Sequence, residues 1–231
     1  MKKALIILHQ KRSIPGDIGK KLIKRGYELD IKRPCVGCKL PNKLDDYSLV
    51  VILGGPISVN DNMDYINYEI EWIDVVLKSE KPFLGICLGA QILTKYLGYK
   101  VEKNSSHLSE IGFFSVTPTK EGEELFKNQK YFYQFHDEGF ELPAGSKLLA
   151  KGERFKNQAF KYKNCYAFQF HPEVNFYLHL RWLYFVFLKN PKKLFVKGAQ
   201  NIFYQIYLRI KYNKKISLWL DDFLDNYLLK I

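Results

Sequence analysis

Cys87 stands in Gly85-Ile86-Cys87-Leu88-Gly89-Ala90-Gln91, one sulfur between two glycines where an apolar run ends and a helical pattern begins. Pro82 to Ile86 reads as a short buried strand, and Ala90 to Leu97 carries apolar residues at helical spacing, so the cysteine falls on a sharp strand-to-helix turn. Such an elbow lifts the sulfur clear of a sheet and aims a helix N-terminus at it. The unpaired N–H groups there favour negative charge on sulfur, the attacking form. A nucleophile of this kind needs a base. Phe168-Gln169-Phe170-His171-Pro172-Glu173 supplies His171 at the end of the strand-like run Tyr166 to Phe170. Glu173, two residues on, is spaced to hold the imidazole in one tautomer and to stabilise the imidazolium. A third element is Leu53-Gly54-Gly55-Pro56, which closes the apolar run Leu49 to Leu53. Its glycines let backbone and ligand approach closely. Gly54 is a candidate substrate contact, and the N–H groups of Gly55 and Leu88 are a candidate oxyanion hole for charge developing on a carbonyl oxygen. The chemistry to expect is acyl transfer through sulfur.

Each element alone has an ordinary explanation: a buried cysteine, a surface histidine, a glycine turn. Their order and spacing give the set its meaning. The three motifs resemble those of the class I glutamine amidotransferases, over roughly residues 1 to 188, with looser similarity of the tail to stand-alone, GMP-synthase-like members. The resemblance implies Cys87 as nucleophile, His171 as general base and acid, Glu173 as its orienting partner and Gln91 as a substrate contact. It also places Tyr133-Gln134-Phe135-His136-Asp137-Glu138 at the loop whose backbone grips the amino-acid end of glutamine, which implicates Phe135 and His136. Here the sequence departs from the pattern: the family commonly has serine at the Phe135 position, and Asp137-Glu138 replaces a more usual Gly-Asp. The implied activity is hydrolysis of the γ-carboxamide of glutamine or another γ-glutamyl compound through a γ-glutamyl thioester, releasing ammonia. No cofactor or metal is implied. The chain has no room for a synthetase and carries no ATP-binding glycine loop. It is therefore expected to be the glutaminase partner of a separate synthetase subunit or a free-standing γ-glutamyl hydrolase. A silent scaffold kept for ligand sensing or partner binding is the contrasting alternative.

The elements that must position these residues are legible in the pattern. Strands are expected at Ala4 to Leu8, Tyr27 to Ile31, Leu49 to Leu53 and before Cys87, with helices near Ile18 to Arg25, Tyr65 to Ser79 and after Cys87. These βαβ units predict an open, mostly parallel α/β sheet flanked by helices, flavodoxin-like, with catalytic groups at the carboxyl ends of its strands. The second half is richer in short strands: Ile111 to Val116, Tyr131 to Phe135, Lys147 to Ala150, Gln158 to Tyr162 and Cys165 to Phe170. With 231 residues and 47% hydrophobic content, one substantial core is expected.

Residues 189 to 231 form a basic helical extension expected to pack on residues 1 to 188. They hold nine Lys or Arg against three Asp, which leaves +6, half of the chain's +12. Leu220, Phe223, Leu224, Tyr227 and Leu228 follow helical spacing, with Ser217 as the expected N-cap. The basic balance accompanies no nucleic-acid-binding motif, so no nucleic acid partner is expected. Phe176 to Leu188, apolar but interrupted by His179 and Arg181, falls short of the ~20 residues that span a membrane and reads as a packed helix. Ala4 to Leu8 is too short for a signal peptide, and four cysteines do not suggest a disulfide framework, so the expected compartment is the cytoplasm. Cys35 and Cys38 lack the second ligand pair of a zinc site.

Overall fold

Alternate residues of the first strand are buried on opposite sides: Ala4, Ile6 and Leu8 belong to one core, Leu5 and Ile7 to another. The third strand repeats this, with Leu49, Val51 and Leu53 on one side and Val50 and Ile52 on the other. Strands that are apolar at every position have no solvent face, which is the signature of a parallel sheet covered by helices on both sides. The computed structural model describes residues 2–230. Its first half runs β1 (Lys2–Ile7), α1 (Gly16–Lys24), β2 (Tyr27–Lys32), β3 (Leu49–Ile52), α2 (Asp64–Ser79), β4 (Phe83–Ile86) and α3 (Leu88–Tyr96). The second half runs β5 (Val101–Lys103), β6 (Glu110–Ser115), β7 (Thr117–Pro118), β8 (Tyr131–His136), β9 (Glu138–Phe140), β10 (Lys147–Lys151), β11 (Asn157–Tyr162), β12 (Cys165–Phe168), α4 (Phe176–Lys189) and α5 (Ile202–Phe223).

Eight strands form the main sheet in the order β2-β1-β3-β4-β12-β11-β10-β7. The pairings from β2 through β12 are parallel, and those among β12, β11, β10 and β7 are antiparallel. The parallel part has the flavodoxin-like order, with an antiparallel extension on one edge. Helices α2 and α3 cover one face, while α1, α5 and Leu178 of α4 cover the other. Two small antiparallel pairs, β5 with β9 and β6 with β8, stand outside this sheet.

The tail differs from its sequence reading. Its helix begins at Ile202, capped by Asn201, whose side chain accepts from the Phe203 N–H at 2.9 Å; Ser217 lies in the helix interior. Asp221, Asp222 and Asp225 consequently stand at its closing end, where the helix dipole disfavours them. Cations of α1 compensate: Lys21 donates to Asp221 at 2.6 Å, and Arg25 donates to Asp221 at 2.9 Å and Asp225 at 2.7 Å. Burial of Trp219, Leu220 and Phe223 makes α5 part of the core that also holds α1. Trp219 stacks on Phe126 and Phe223 and donates its indole N–H to the Leu125 carbonyl at 2.7 Å.

Candidate active site

β3, β4 and β12 lie side by side and parallel, so the three loops that leave their carboxyl ends meet in one crevice. Those loops carry Gly54-Gly55, Cys87 and His171. Cys87 adopts φ 50°, ψ −106°, a left-handed turn costly for a side-chain-bearing residue, and its N–H donates to the Phe168 carbonyl at 2.7 Å. The flanking glycines make this elbow feasible. A Cβ on Gly85 would stand 2.7 Å from the Gly89 carbonyl, and one on Gly89 would stand 2.1 Å from the Ile52 carbonyl oxygen. Only a bare backbone lets α3 start this close to β3 and β4, beneath the sulfur.

His171 is pinned by its N–H to the Tyr133 carbonyl at 2.8 Å, and its Nδ1 meets Glu173 Oε1 at 2.8 Å. That leaves Nε2 for the sulfur, and the two side chains come together over Gly54. Burial of the ring works against its charge, but Glu173 and Cys87 outweigh burial and raise His171 to about 10. The charged form of the ring is therefore favoured relative to a free imidazole. Behind Glu173 its own carbonyl accepts the Asp17 N–H at 2.9 Å, and Gly16, at φ 59°, has no room for a Cβ against that carbonyl. The indole of Trp182 from α4 stands edge-on to the imidazole at 5.0 Å.

Gly54 packs under this pair: a Cβ there would lie 2.7 Å from His171 Cε1 and 3.4 Å from Cys87 Cβ. Gly55 sits between the side chains of His9 and Leu88. Among the described residues neither the Gly55 nor the Leu88 N–H has a protein acceptor, which leaves both free for an oxyanion. The loop is held by a pair that sequence reasoning missed. His9 Nε2 meets Glu69 Oε2 of α2 at 2.9 Å, both side chains are buried, and His9 Nδ1 lies 3.3 Å from the Gly54 carbonyl oxygen. These residues are sixty positions apart, and an isolated histidine at a strand end gives no signal of its own.

The residues implicated by resemblance divide. Phe135 is half-buried and lines the cleft beside His171. Gln91 is buried, and its amide donates to the Glu138 carbonyl at 3.2 Å and approaches Gln169, whose own amide lies 3.6 Å from the Cys87 sulfur. The His136 side chain is committed elsewhere: Nδ1 meets the Glu138 carbonyl at 2.9 Å, and Nε2 lies 3.1 Å from both Gln134 and Glu110. Gln158 closes this buried network by donating to Glu110 at 2.9 Å and accepting from Gln134 at 2.7 Å. Any contact of His136 with a ligand thus falls to its backbone. The tail also reaches this region. Arg209 of α5 is buried over the rings of Phe113, at 4.7 Å, and Tyr133, at 5.4 Å. Burial, with the Arg209 charge, holds His179 down to about 3 and hence neutral.

Residues 11–190 match the family model described as glutamine amidotransferase class-I. The chain belongs to the class I glutamine amidotransferase family. A subunit of the glutamine-hydrolyzing GMP synthase of Sulfurisphaera tokodaii is 35% identical over 136 residues, 57% of this chain and 70% of that protein. The glutamine-hydrolyzing GMP synthase of Wigglesworthia glossinidia brevipalpis is 32% identical over 173 residues, and the matched region spans only 30% of its length. A crystal structure of a glutamine amidotransferase from Thermotoga maritima superposes with a TM-score of 0.88 and 26% identity, covering 100% of this chain and 99% of that one. That superposition takes in the tail helix as well as the sheet, whereas the family model ends at residue 190. Among the described residues no helix is long and apolar enough to cross a membrane.

Proposed function

We propose that this amidotransferase hydrolyses the γ-carboxamide of glutamine or a related γ-glutamyl compound through Cys87, His171 and Glu173. The observation that carries the reading is the strained elbow of Cys87 set against an imidazole that is held by a carboxylate at 2.8 Å. Sulfur attacks the γ-carbonyl carbon, and the developing oxyanion is taken by the N–H groups of Gly55 and Leu88. His171 gives its proton to the departing nitrogen, and a γ-glutamyl thioester remains on Cys87. Water then attacks the thioester while His171 accepts its proton, and glutamate leaves. Gln91 and the backbone of Phe135 and His136 bind the amino-acid end.

The likeness to one subunit of a GMP synthase supports a partnership with a separate synthetase, in which residues 1–188 are the catalytic unit and residues 189–231 its extension. The test is glutamate release by the purified chain from glutamine and from a set of γ-glutamyl amides, alongside Cys87→Ala. Release by the wild type and none by the variant supports the reading; equal release by both would sink it.

A further inference from the structure

A cleft of about 530 Å³ opens beside His171, far more space than a departing ammonia uses. Its floor is Gly54, Gly55, His171 and Glu173, and Phe135, Trp182 and Phe185 supply flat apolar walls. Its charge is one-sided. Lys11, Arg12, Arg181, Lys189 and Lys193 all line it, and among the described residues none of these five is ion-paired with a carboxylate. The one carboxylate in the lining, Glu173, is taken by His171. Arg181 is held by its Nη2, which donates to the Arg12 carbonyl at 2.6 Å, and Lys193 rests its ammonium over the Phe135 ring at 5.4 Å.

Such a cleft does not suit the glutamyl half of a substrate, which brings an ammonium along with its carboxylate. Asp137 and Glu138, in the loop that the resemblance assigns to the amino-acid end, lie outside the cleft, and the Glu138 carbonyl accepts from Gln91. The group attached to the leaving nitrogen is different. It must project past His171, which protonates that nitrogen and forms part of the cleft floor.

We infer that this cleft is a subsite for the amine half of the substrate, and that the chain prefers γ-glutamyl amides whose amine portion is flat or apolar and carries a carboxylate. The inference rests on the hydrolytic reading above and names the substrate class of the same site. In the step it serves, the bond from Cys87 sulfur to the γ-carbon forms and the bond from that carbon to nitrogen breaks. The His171 proton goes to nitrogen, and a neutral amine carrying its carboxylate leaves through the cleft.

The test compares γ-glutamyl-3-carboxy-4-nitroanilide with γ-glutamyl-4-nitroanilide, two chromogenic amides that differ by one carboxylate, with glutamine as a third substrate. At low ionic strength the carboxylated anilide should have a kcat/KM about tenfold higher, the sum expected from a few partly exposed cations. The ratio should fall toward one at about 0.5 M salt, where such charges are screened. It should also fall toward one in the double variant Arg181→Glu, Lys193→Glu. A ratio of one or less in the wild type, with glutamate released from both anilides, overturns the inference and leaves the hydrolytic reading standing. Hydrolysis of glutamine with neither anilide cleaved also overturns it, and leaves a protein partner as the occupant of the cleft. Absence of glutamate from all three compounds defeats the hydrolytic reading and the inference with it.

Discussion

Replacing Glu173 by Gln keeps the shape of the site but removes the charge that faces His171. Burial alone would hold the imidazole below its ordinary 6.5, yet Glu173 and Cys87 carry it to about 10. A folded-state pKa raised in this way stabilises the protein fully below about 6.5, and the contribution is lost as pH rises through about 10. Each pKa unit is worth about 1.4 kcal/mol, so the whole rise amounts to several kcal/mol. Removal of one partner from a buried ion pair costs about 3–5 kcal/mol, which is the same range. Glu173→Gln should therefore lose about that much stability at pH 6, and the gap to wild type should narrow as pH approaches 10. Urea unfolding at both pH values measures the gap, and the imidazole proton signals of His171 report its midpoint, expected to fall in the variant. Thioester formation in a single turnover should slow, though less than after loss of Cys87 or His171. An unchanged midpoint, or single-turnover formation at the wild-type rate, would refute the role given to Glu173.

Other consequences follow from named contacts. Gly89→Ala would drive a methyl into the Ile52 carbonyl, so denaturant melts should show a loss of about 1–3 kcal/mol from forced repacking. His9→Ala leaves the buried Glu69 carboxylate without its partner and frees the Gly54-Gly55 loop; kcat should fall more than KM rises, because the oxyanion contact is made in the transition state. Asp221→Asn touches a partly exposed ion pair with Lys21 and Arg25, and urea melts should register no more than about 1 kcal/mol. Acidification should release the same contribution in the wild type, because the nearby cations, working against burial, hold the Asp221 carboxyl below its ordinary range.

What could be read from the sequence is what local pattern encodes. The uniformly apolar strands, the two glycines around Cys87 and the two-residue spacing of His171 and Glu173 are short-range features, and the fold brings them together at the ends of β3, β4 and β12. What escaped depends on distant partners. His9 finds Glu69 on α2, Gly16 packs against the Glu173 carbonyl, and Trp182 meets His171 only because α4 folds back over the crevice. The start of α5 was hidden for another reason. Phe203, Tyr204, Tyr207 and Ile210 are exposed while Gln205 and Arg209 are buried, so the helix reverses the usual sidedness on which a periodicity reading relies. The short strands β5 and β9 pair over three residues each, too few to show alternation. The ring nitrogens of His136 are likewise taken up by the Gln134–Glu110–Gln158 network and the Glu138 carbonyl, partners that no local spacing announces.

The most direct test of the central claim is the site of covalent capture by a glutamine-like diazo-ketone, read by peptide mass mapping. Four thiols compete for the reagent: Cys35, Cys38, Cys87 and Cys165. Burial pushes Cys165 up to about 12 and raises Cys35, so neither supplies a thiolate at neutral pH. One adduct is expected, on the peptide that contains Cys87, with protection by excess glutamine and loss of labelling in Cys87→Ala. An adduct on Cys35, Cys38 or Cys165 in place of Cys87 would contradict the assignment of Cys87 as nucleophile.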